Sequence, residues 1–335
     1  MIIGSIKEHN PEETRVALTP AVTTKLITAG HRVFIEEDSG QKAGFSNEKY
    51  QKAGAEILSP KQIYQKSNII LQIQPPKTEI MKILKRSQIL VADFRNNNTK
   101  NFSPKCTIIR LDLVPRISVA QSIDILSAQN TVRGYMGALY ALSHAPRIAP
   151  QLMTAAASIK AAETLVIGAG VTGLQAASLF KRIGCRVTIM DINMKSKELA
   201  ASVGAEFVLA QNPTEISLHL KNKNFIFTAA AISNGKSPQI ITAEHLSLIS
   251  DNTVLIDTTS GNIEITDETA QLYPFYFYRN LYFERLAPIT ASELWANNMQ
   301  HLIRLISPDT NKFDLDIKYL QPMIQLHPAT ERKYF

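Results

Sequence analysis

Thr164-Leu-Val-Ile-Gly-Ala-Gly-Val-Thr-Gly-Leu174 is the stretch on which the reading of this chain turns. An apolar run long enough for one buried strand meets three glycines at G-x-G-x-x-G spacing, and a segment with helical character follows. Gly168 permits a tight turn, Gly170 lets the backbone approach a pyrophosphate, and Gly173 lets the helix pack closely on the strand. The N-terminus of that helix offers free N–H groups and a partial positive charge to phosphates. About 20 residues on, a second strand, Arg186-Val-Thr-Ile-Met190, ends in Asp191, whose carboxylate is placed to accept the hydroxyls of an adenosine ribose. An acid there repels a 2′-phosphate and no arginine follows it, so the pattern points to NAD(H) rather than NADP(H). The cofactor-binding set is then Gly168, Ala169, Gly170, Val171, Gly173 and Asp191. A helix N-cap for the segment starting near Met194 is the competing use of Asp191.

The 335 residues suffice for two domains with substantial cores, and the apolar and charged fractions are those of a soluble globular protein. No window approaches the roughly 18 consecutive apolar residues of a membrane span, and a basic-then-apolar leader is absent, so a cytoplasmic location is expected. Cys106 and Cys185 lie far apart in strand-like stretches. Neither a disulfide framework nor a cysteine metal site is expected, and no metal is assigned. The net charge of +7 comes from basic residues scattered along the chain, without the stripe that marks a nucleic-acid surface.

Outward from the glycine stretch, both halves of the chain alternate strand-like and helix-like segments. Ile2-Ile-Gly-Ser-Ile6 reads as a strand, Pro20 to Ala29 as a helix capped by Thr19, and Arg32-Val-Phe-Ile-Glu36 as the next strand. Further β-like runs are Asn68-Ile-Ile-Leu-Gln-Ile73, Gln88-Ile-Leu-Val-Ala92 and Thr107-Ile-Ile-Arg-Leu111. This βαβ rhythm predicts a parallel sheet with helices on both faces. From Val119 to about Ser143 a long, mostly apolar helical stretch reads as a spine joining two domains. The proline-punctuated His144-Ala-Pro-Arg-Ile-Ala-Pro150 and a short helical run then lead to the glycine strand. Beyond Asp191, strands are expected at Glu206-Phe-Val-Leu209, Phe225-Ile-Phe-Thr228 and Val254-Leu-Ile-Asp257. A capping box, Thr290-Ala-Ser-Glu293, opens a last long helix that returns the chain to its first domain. The expected division is 1–128 with 303–335 as a discontinuous N-terminal domain and 129–302 as the nucleotide-binding domain.

Three motifs carry a resemblance to a known family: Glu13-Thr-Arg-Val-Ala-Leu-Thr-Pro20, Asp112-Leu-Val-Pro-Arg-Ile-Ser-Val-Ala-Gln-Ser-Ile-Asp-Ile-Leu-Ser127, and the glycine stretch. Over nearly its whole length the chain resembles the alanine dehydrogenase/transhydrogenase family. The middle motif is similar in particular to the NAD(H)-binding alpha component of proton-translocating NAD(P) transhydrogenase. The resemblance implies an α/β fold of two Rossmann-like domains with parallel sheets, joined by long helices, with NAD(H) in a cleft between them. It further implies that Arg116, Gln121, Asp124 and Ser127 contact the nicotinamide and its ribose. Holding that ring at contact distance from a hydride acceptor is the work such polar groups can do. Arg116 and Asp124 could also pair with each other, and an ordinary salt bridge at the start of the spine helix is the alternative reading.

Within the family, residues that are missing separate two activities. An alanine dehydrogenase moves a proton as well as a hydride and is expected to need a lysine and a histidine at the substrate. At the corresponding places this chain has Gln72 and Asn96, and Thr258-Thr-Ser-Gly261 follows Asp257 where those enzymes carry a further acid. Hydride exchange between two nicotinamides requires no general acid, so these absences fit a transhydrogenase component. Arg15 matches a carboxylate-binding position of the dehydrogenases, with a structural role as its alternative. Two departures stand out. The loop carrying a tyrosine that closes over NAD(H) in the transhydrogenase component has no room in residues 211–223, and the segment after Asp257 is short. The implied partner is an NADP-binding membrane beta subunit, and the family implies a homodimer. Two other functions stay open at this stage: a self-contained NAD-dependent amino-acid dehydrogenase, for which His301 and His327 are the histidines in the right region, and a catalytically degenerate NAD(H)-binding module.

Overall fold

A computed structural model describes residues 1–95, 105–231, 237–259, 261–309 and 312–325. Six strands come first: β1 (Ile2–Ser5), β2 (Arg32–Glu36), β3 (Glu56–Leu58), β4 (Ile69–Leu71), β5 (Ile89–Ala92) and β6 (Thr107–Arg110). A short ribbon follows, β7 (Leu152–Met153) with β8 (Ser158–Ile159). The second run is β9 (Glu163–Ile167), β10 (Arg186–Asp191), β11 (Glu206–Leu209), β12 (Phe225–Thr228), β13 (Val254–Asp257) and β14 (Tyr276–Arg279). Last among the described strands is β15 (Ile324–Gln325).

The chain divides into two compact units, Met1–Gln129 with the residues from Arg285 onward, and Asn130–Glu284. In the first, the strand order is β3-β2-β1-β4-β5-β6-β15. All pairs are parallel except the antiparallel pairing of β15 on β6. In the second, the order is β11-β10-β9-β12-β13-β14, parallel throughout. Counted within each unit, the first six strands follow the same doubly wound order, 3-2-1-4-5-6, with the direction of winding reversing between the first and fourth strands. Such sheets are buried on both faces, which is why their strands are continuous apolar runs: Ile69–Leu71, Ile89–Ala92, Phe225–Thr228 and Val254–Asp257 are buried at every residue.

The structure departs from the sequence reading in four places. The second cut falls at Glu284, well before residue 302, because the helix Pro288–Ile306 buries Trp295, Met299, Leu302, Ile303 and Ile306 in the core of the first unit. Each such side chain contributes about 1.5–3 kcal/mol on burial, enough to decide which unit owns the helix. That helix starts at Pro288, two residues before the expected capping box; Ala287 is its cap and makes no side-chain bond. The spine is a 3-10 turn at Ser118–Ile123 followed by the helix Ile125–Ser143 rather than one helix. Finally, the run before the glycine strand is the β7–β8 ribbon and not a helix. Its four strand residues are exposed, so burial does not select helix over strand there.

Candidate dinucleotide site

The glycine turn leaves β9 and enters the helix Val171–Arg182, and its three glycines stand in three different settings. Gly168 has φ +100°, in the left-handed region, and a Cβ there would stand 2.9 Å from the Ala229 carbonyl carbon and the Ala230 nitrogen. Gly173 lies on the helix flank, where a Cβ would come 1.8 Å from the Gly168 carbonyl oxygen. Gly170 is the helix cap, with φ −74° and ψ −178°, conformations open to any residue, and a Cβ would meet nothing within 4 Å. Neither backbone strain nor packing demands a glycine at that position. A glycine there leaves the backbone open to approach, and the uncapped N-terminus of a 12-residue helix attracts an anion.

Asp191 ends β10, the strand next to β9, and is half-buried. One carboxylate oxygen, Oδ2, accepts from the Ala169 N–H at 2.7 Å and the other, Oδ1, from the Asn193 N–H at 2.8 Å. It does not cap the next helix, Ser196–Ser202, whose N-cap is Lys195. The carboxylate is tied to the glycine turn itself, and each oxygen keeps a lone pair for a ribose hydroxyl. These residues fit a dinucleotide: an open glycine at a helix N-terminus for the pyrophosphate, and a fixed acid one strand over for the adenosine ribose. No group of three or more metal-ligating side chains occurs among the described residues.

Across the switch point, β12 and β13 end in a dense polar network that the sequence did not mark. Asp257 is fully buried; its Oδ1 accepts from Thr228 Oγ1 (3.1 Å), Thr259 N (2.9 Å) and Thr259 Oγ1 (2.7 Å), and its Oδ2 from Arg279 Nε (3.1 Å). Arg279 also donates to the carbonyls of Ile263 and Ile265. Asn262, fully buried, bonds to the backbone of Ala230 and to the Pro238 carbonyl. A Gly-Asn pair after a strand-ending acid reads as a turn, and the partners lie too far away in sequence to suggest more.

Arg116, Gln121, Asp124 and Ser127 lie in the first unit. Arg116 and Gln121 are exposed, whereas the Asp124 carboxylate caps the spine helix, accepting from Ser127 N at 3.0 Å and Ser127 Oγ at 2.6 Å. No Arg116–Asp124 ion pair occurs among the described residues; the Asp124 carboxylate is bonded to Ser127 instead. Arg15 is buried and locked: it grips Glu13 through Nε and Nη2, both at 2.7 Å, donates to Gln129 Oε1 at 2.9 Å, and stacks over Trp295. Burial alone would raise the Glu13 carboxyl, but Arg15 and then Arg285 outweigh it and hold Glu13 below its ordinary range. These contacts are those of the structural alternative for Arg15. Gln72 is buried behind Tyr64, while Asn96 and His327 lie outside the described residues. His301 is exposed on the helix Pro288–Ile306.

Likeness to known proteins fixes the class to which this geometry belongs. Residues 4–133 match the Alanine dehydrogenase/PNT N-terminal domain and residues 137–330 the C-terminal domain, so the chain belongs to the alanine dehydrogenase/PNT family. It is 29% identical to the first part of the NAD(P) transhydrogenase subunit alpha of Rickettsia prowazekii (strain Madrid E), over 97% of this chain and 94% of that one. It is 30% identical to NAD(P) transhydrogenase subunit alpha of Haemophilus influenzae, covering 91% of this chain but 66% of the longer relative. Among solved structures, a transhydrogenase from Sinorhizobium meliloti superposes with a TM-score of 0.88 at 26% identity, covering 98% of this chain and 99% of that one. An L-alanine dehydrogenase, at 21% identity and a TM-score of 0.80 over 98% of this chain and 95% of that one, shares the fold.

Proposed function

We propose that this chain is the NAD(H)-binding component of a proton-translocating NAD(P) transhydrogenase, exchanging hydride with NADP(H) held by a membrane beta subunit. The observation that carries the reading is Gly170, a glycine that neither the fold nor the backbone requires, placed beside the Asp191 carboxylate in a chain similar from end to end to a piece of a transhydrogenase alpha subunit. When bound, the nicotinamide supplies or accepts the hydride. The chain's own role is to bind and orient. The N–H groups that open the helix Val171–Arg182 receive the pyrophosphate, and Asp191 accepts the adenosine ribose and disfavours a 2′-phosphate. Arg116, Gln121, Asp124 and Ser127 are assigned to the nicotinamide end, with Asp124 and Ser127 acting as a pair that caps the spine helix. Gln72 cannot carry a proton near neutral pH, in keeping with a reaction that needs no general acid.

The chain is read as a homodimer in the cytoplasm, held to the membrane through its partner; among the described residues no helix is long and apolar enough to cross a membrane. The test is hydride exchange from NADH to an NADP analogue, with the purified protein alone and then with an NADP-binding transhydrogenase domain added. Exchange that requires the added domain establishes the reading. Turnover of an amino acid with NAD alone replaces it with a dehydrogenase.

A further inference from the structure

Asn262 sits at the centre of the polar network beside the glycine turn, and every polar group it owns is occupied. Its side-chain oxygen accepts from the Ala230 N–H at 2.9 Å. Its amide nitrogen donates to the Ala230 carbonyl at 2.9 Å and to the Pro238 carbonyl at 2.7 Å. Its own N–H donates to Thr259 Oγ1 at 3.0 Å, and its carbonyl accepts from Ile240 N and Ile241 N, both at 2.9 Å. The residue is fully buried, so each of these bonds is shielded from water and each fixes the side chain further.

The backbone that Asn262 grips is pressed on the glycine turn. The Ala229 carbonyl carbon and Ala230 nitrogen lie where a Cβ on Gly168 would come within 2.9 Å. Asn262 pairs with both polar groups of Ala230 as a neighbouring strand would, at a point where β12 has already ended at Thr228. The second anchor is Thr228 Oγ1 on Asp257, itself held by Arg279.

We propose that Asn262 is a positioning residue for the dinucleotide, holding the Ala229–Ala230 backbone as a fixed wall of the site so that the half of the cofactor beyond the pyrophosphate meets a pre-formed surface. This rests on the dinucleotide reading given above. Asp191 places the adenosine half over β10, on one side of β9; β12 lies on the other side, so the wall after β12 serves the opposite half. A fixed wall lowers the ordering cost of binding without touching the ligand through the asparagine side chain. It also gives a chain with only residues 211–223 where its resemblance implies a closing loop another means of holding the cofactor.

The experiment compares wild type, Asn262→Ala and the isosteric Asn262→Asp in the full chain by titration with NADH and, separately, with AMP, which carries the adenosine half alone. Loss of the buried amide's bonds is expected to weaken NADH by about tenfold, while AMP affinity moves less than about twofold. Asn262→Asp keeps the acceptor for Ala230 N–H but loses the donor to both carbonyls, so it shows the same selective loss even if the alanine variant folds poorly. Amide hydrogen exchange at Ala230 in the nucleotide-free protein should quicken in Asn262→Ala, which removes the acceptor of that N–H. Equal losses for NADH and AMP would mark a purely structural role and overturn the assignment, as would unchanged NADH affinity or unchanged exchange. Failure of the wild type to bind NADH overturns the dinucleotide reading instead, and is seen before any variant is compared.

Discussion

Replacing Gly170 by alanine separates the demands of the fold from those of the ligand. Its dihedral angles suit alanine, and the added methyl meets nothing within 4 Å, so the folded protein loses only the small preference for glycine over alanine at a helix cap. That preference is up to about 1 kcal/mol, and the melting temperature should fall by no more than about 4 °C. The bound state fares differently, because the methyl stands where a pyrophosphate approaches the opening N–H groups. Lengthening one charge-assisted hydrogen bond costs about 2 kcal/mol, or roughly thirtyfold in NADH affinity. Gly173→Ala provides the opposite profile: its Cβ would lie 1.8 Å from the Gly168 oxygen, well inside the 3.0 Å that real Cβ atoms keep. Helix and turn must separate, at about 3 kcal/mol and a melting loss of several degrees. Differential scanning fluorimetry and an NADH fluorescence titration on both variants read the two quantities independently. Wild-type NADH affinity in Gly170→Ala would refute the placement of the pyrophosphate, and a large melting loss in that variant would refute the reasoning about open space.

Asp191→Ala should lose most NADH binding and, with the carboxylate gone, also its discrimination against a 2′-phosphate; equal NADH and NADPH affinities in the variant, measured by titration, are the expected result. Gln121→Asn, at an exposed position, should leave the melting temperature unchanged while lowering hydride exchange in the reconstituted assay. Glu284 is buried in a two-point ion pair with Arg133, at 2.8 and 2.9 Å, and Glu284→Gln leaves the guanidinium uncompensated, costing about 3 kcal/mol by denaturant titration. Burial pushes the Glu8 carboxyl up to about 8 despite N–H bonds from Ile73 and Gln74. A carboxyl raised in the folded state keeps its proton while the unfolded chain has lost it, so stability should fall as pH rises from about 4.5 toward 8. Glu8→Gln should flatten that slope, as melting temperatures across the interval will show.

What could be read from the sequence was what lies close together along it. The glycine turn and Asp191 are set by a strand, a turn and a helix in series, and their roles follow from local geometry. The strand runs of both sheets were visible for a similar reason, since burial on both faces forces unbroken apolar stretches. The β7–β8 ribbon was misread because Leu152, Met153, Ser158 and Ile159 are exposed and carry no periodic signal. The Arg116–Asp124 pair, the alternative to a nicotinamide role, is not made; the Asp124 carboxylate is bonded to Ser127 three residues on. Asn262 escaped notice because its meaning lies in Ala230, 32 residues earlier. Ownership of the helix Pro288–Ile306 was likewise decided by packing partners such as Leu18, Val22 and Leu26, nearly the whole chain away.

That last feature orders events during synthesis. A ribosome that has released residue 284 has delivered every strand of the second unit, which can close while translation continues. The first unit, although its six parallel strands emerge earliest, still lacks Trp295, Met299 and Ile306 from its core and β15 from the open edge of β6. Its nascent sheet therefore waits with an apolar face and an unpaired edge until β15, ending at Gln325, has been made. The half of the molecule made first is the half completed last.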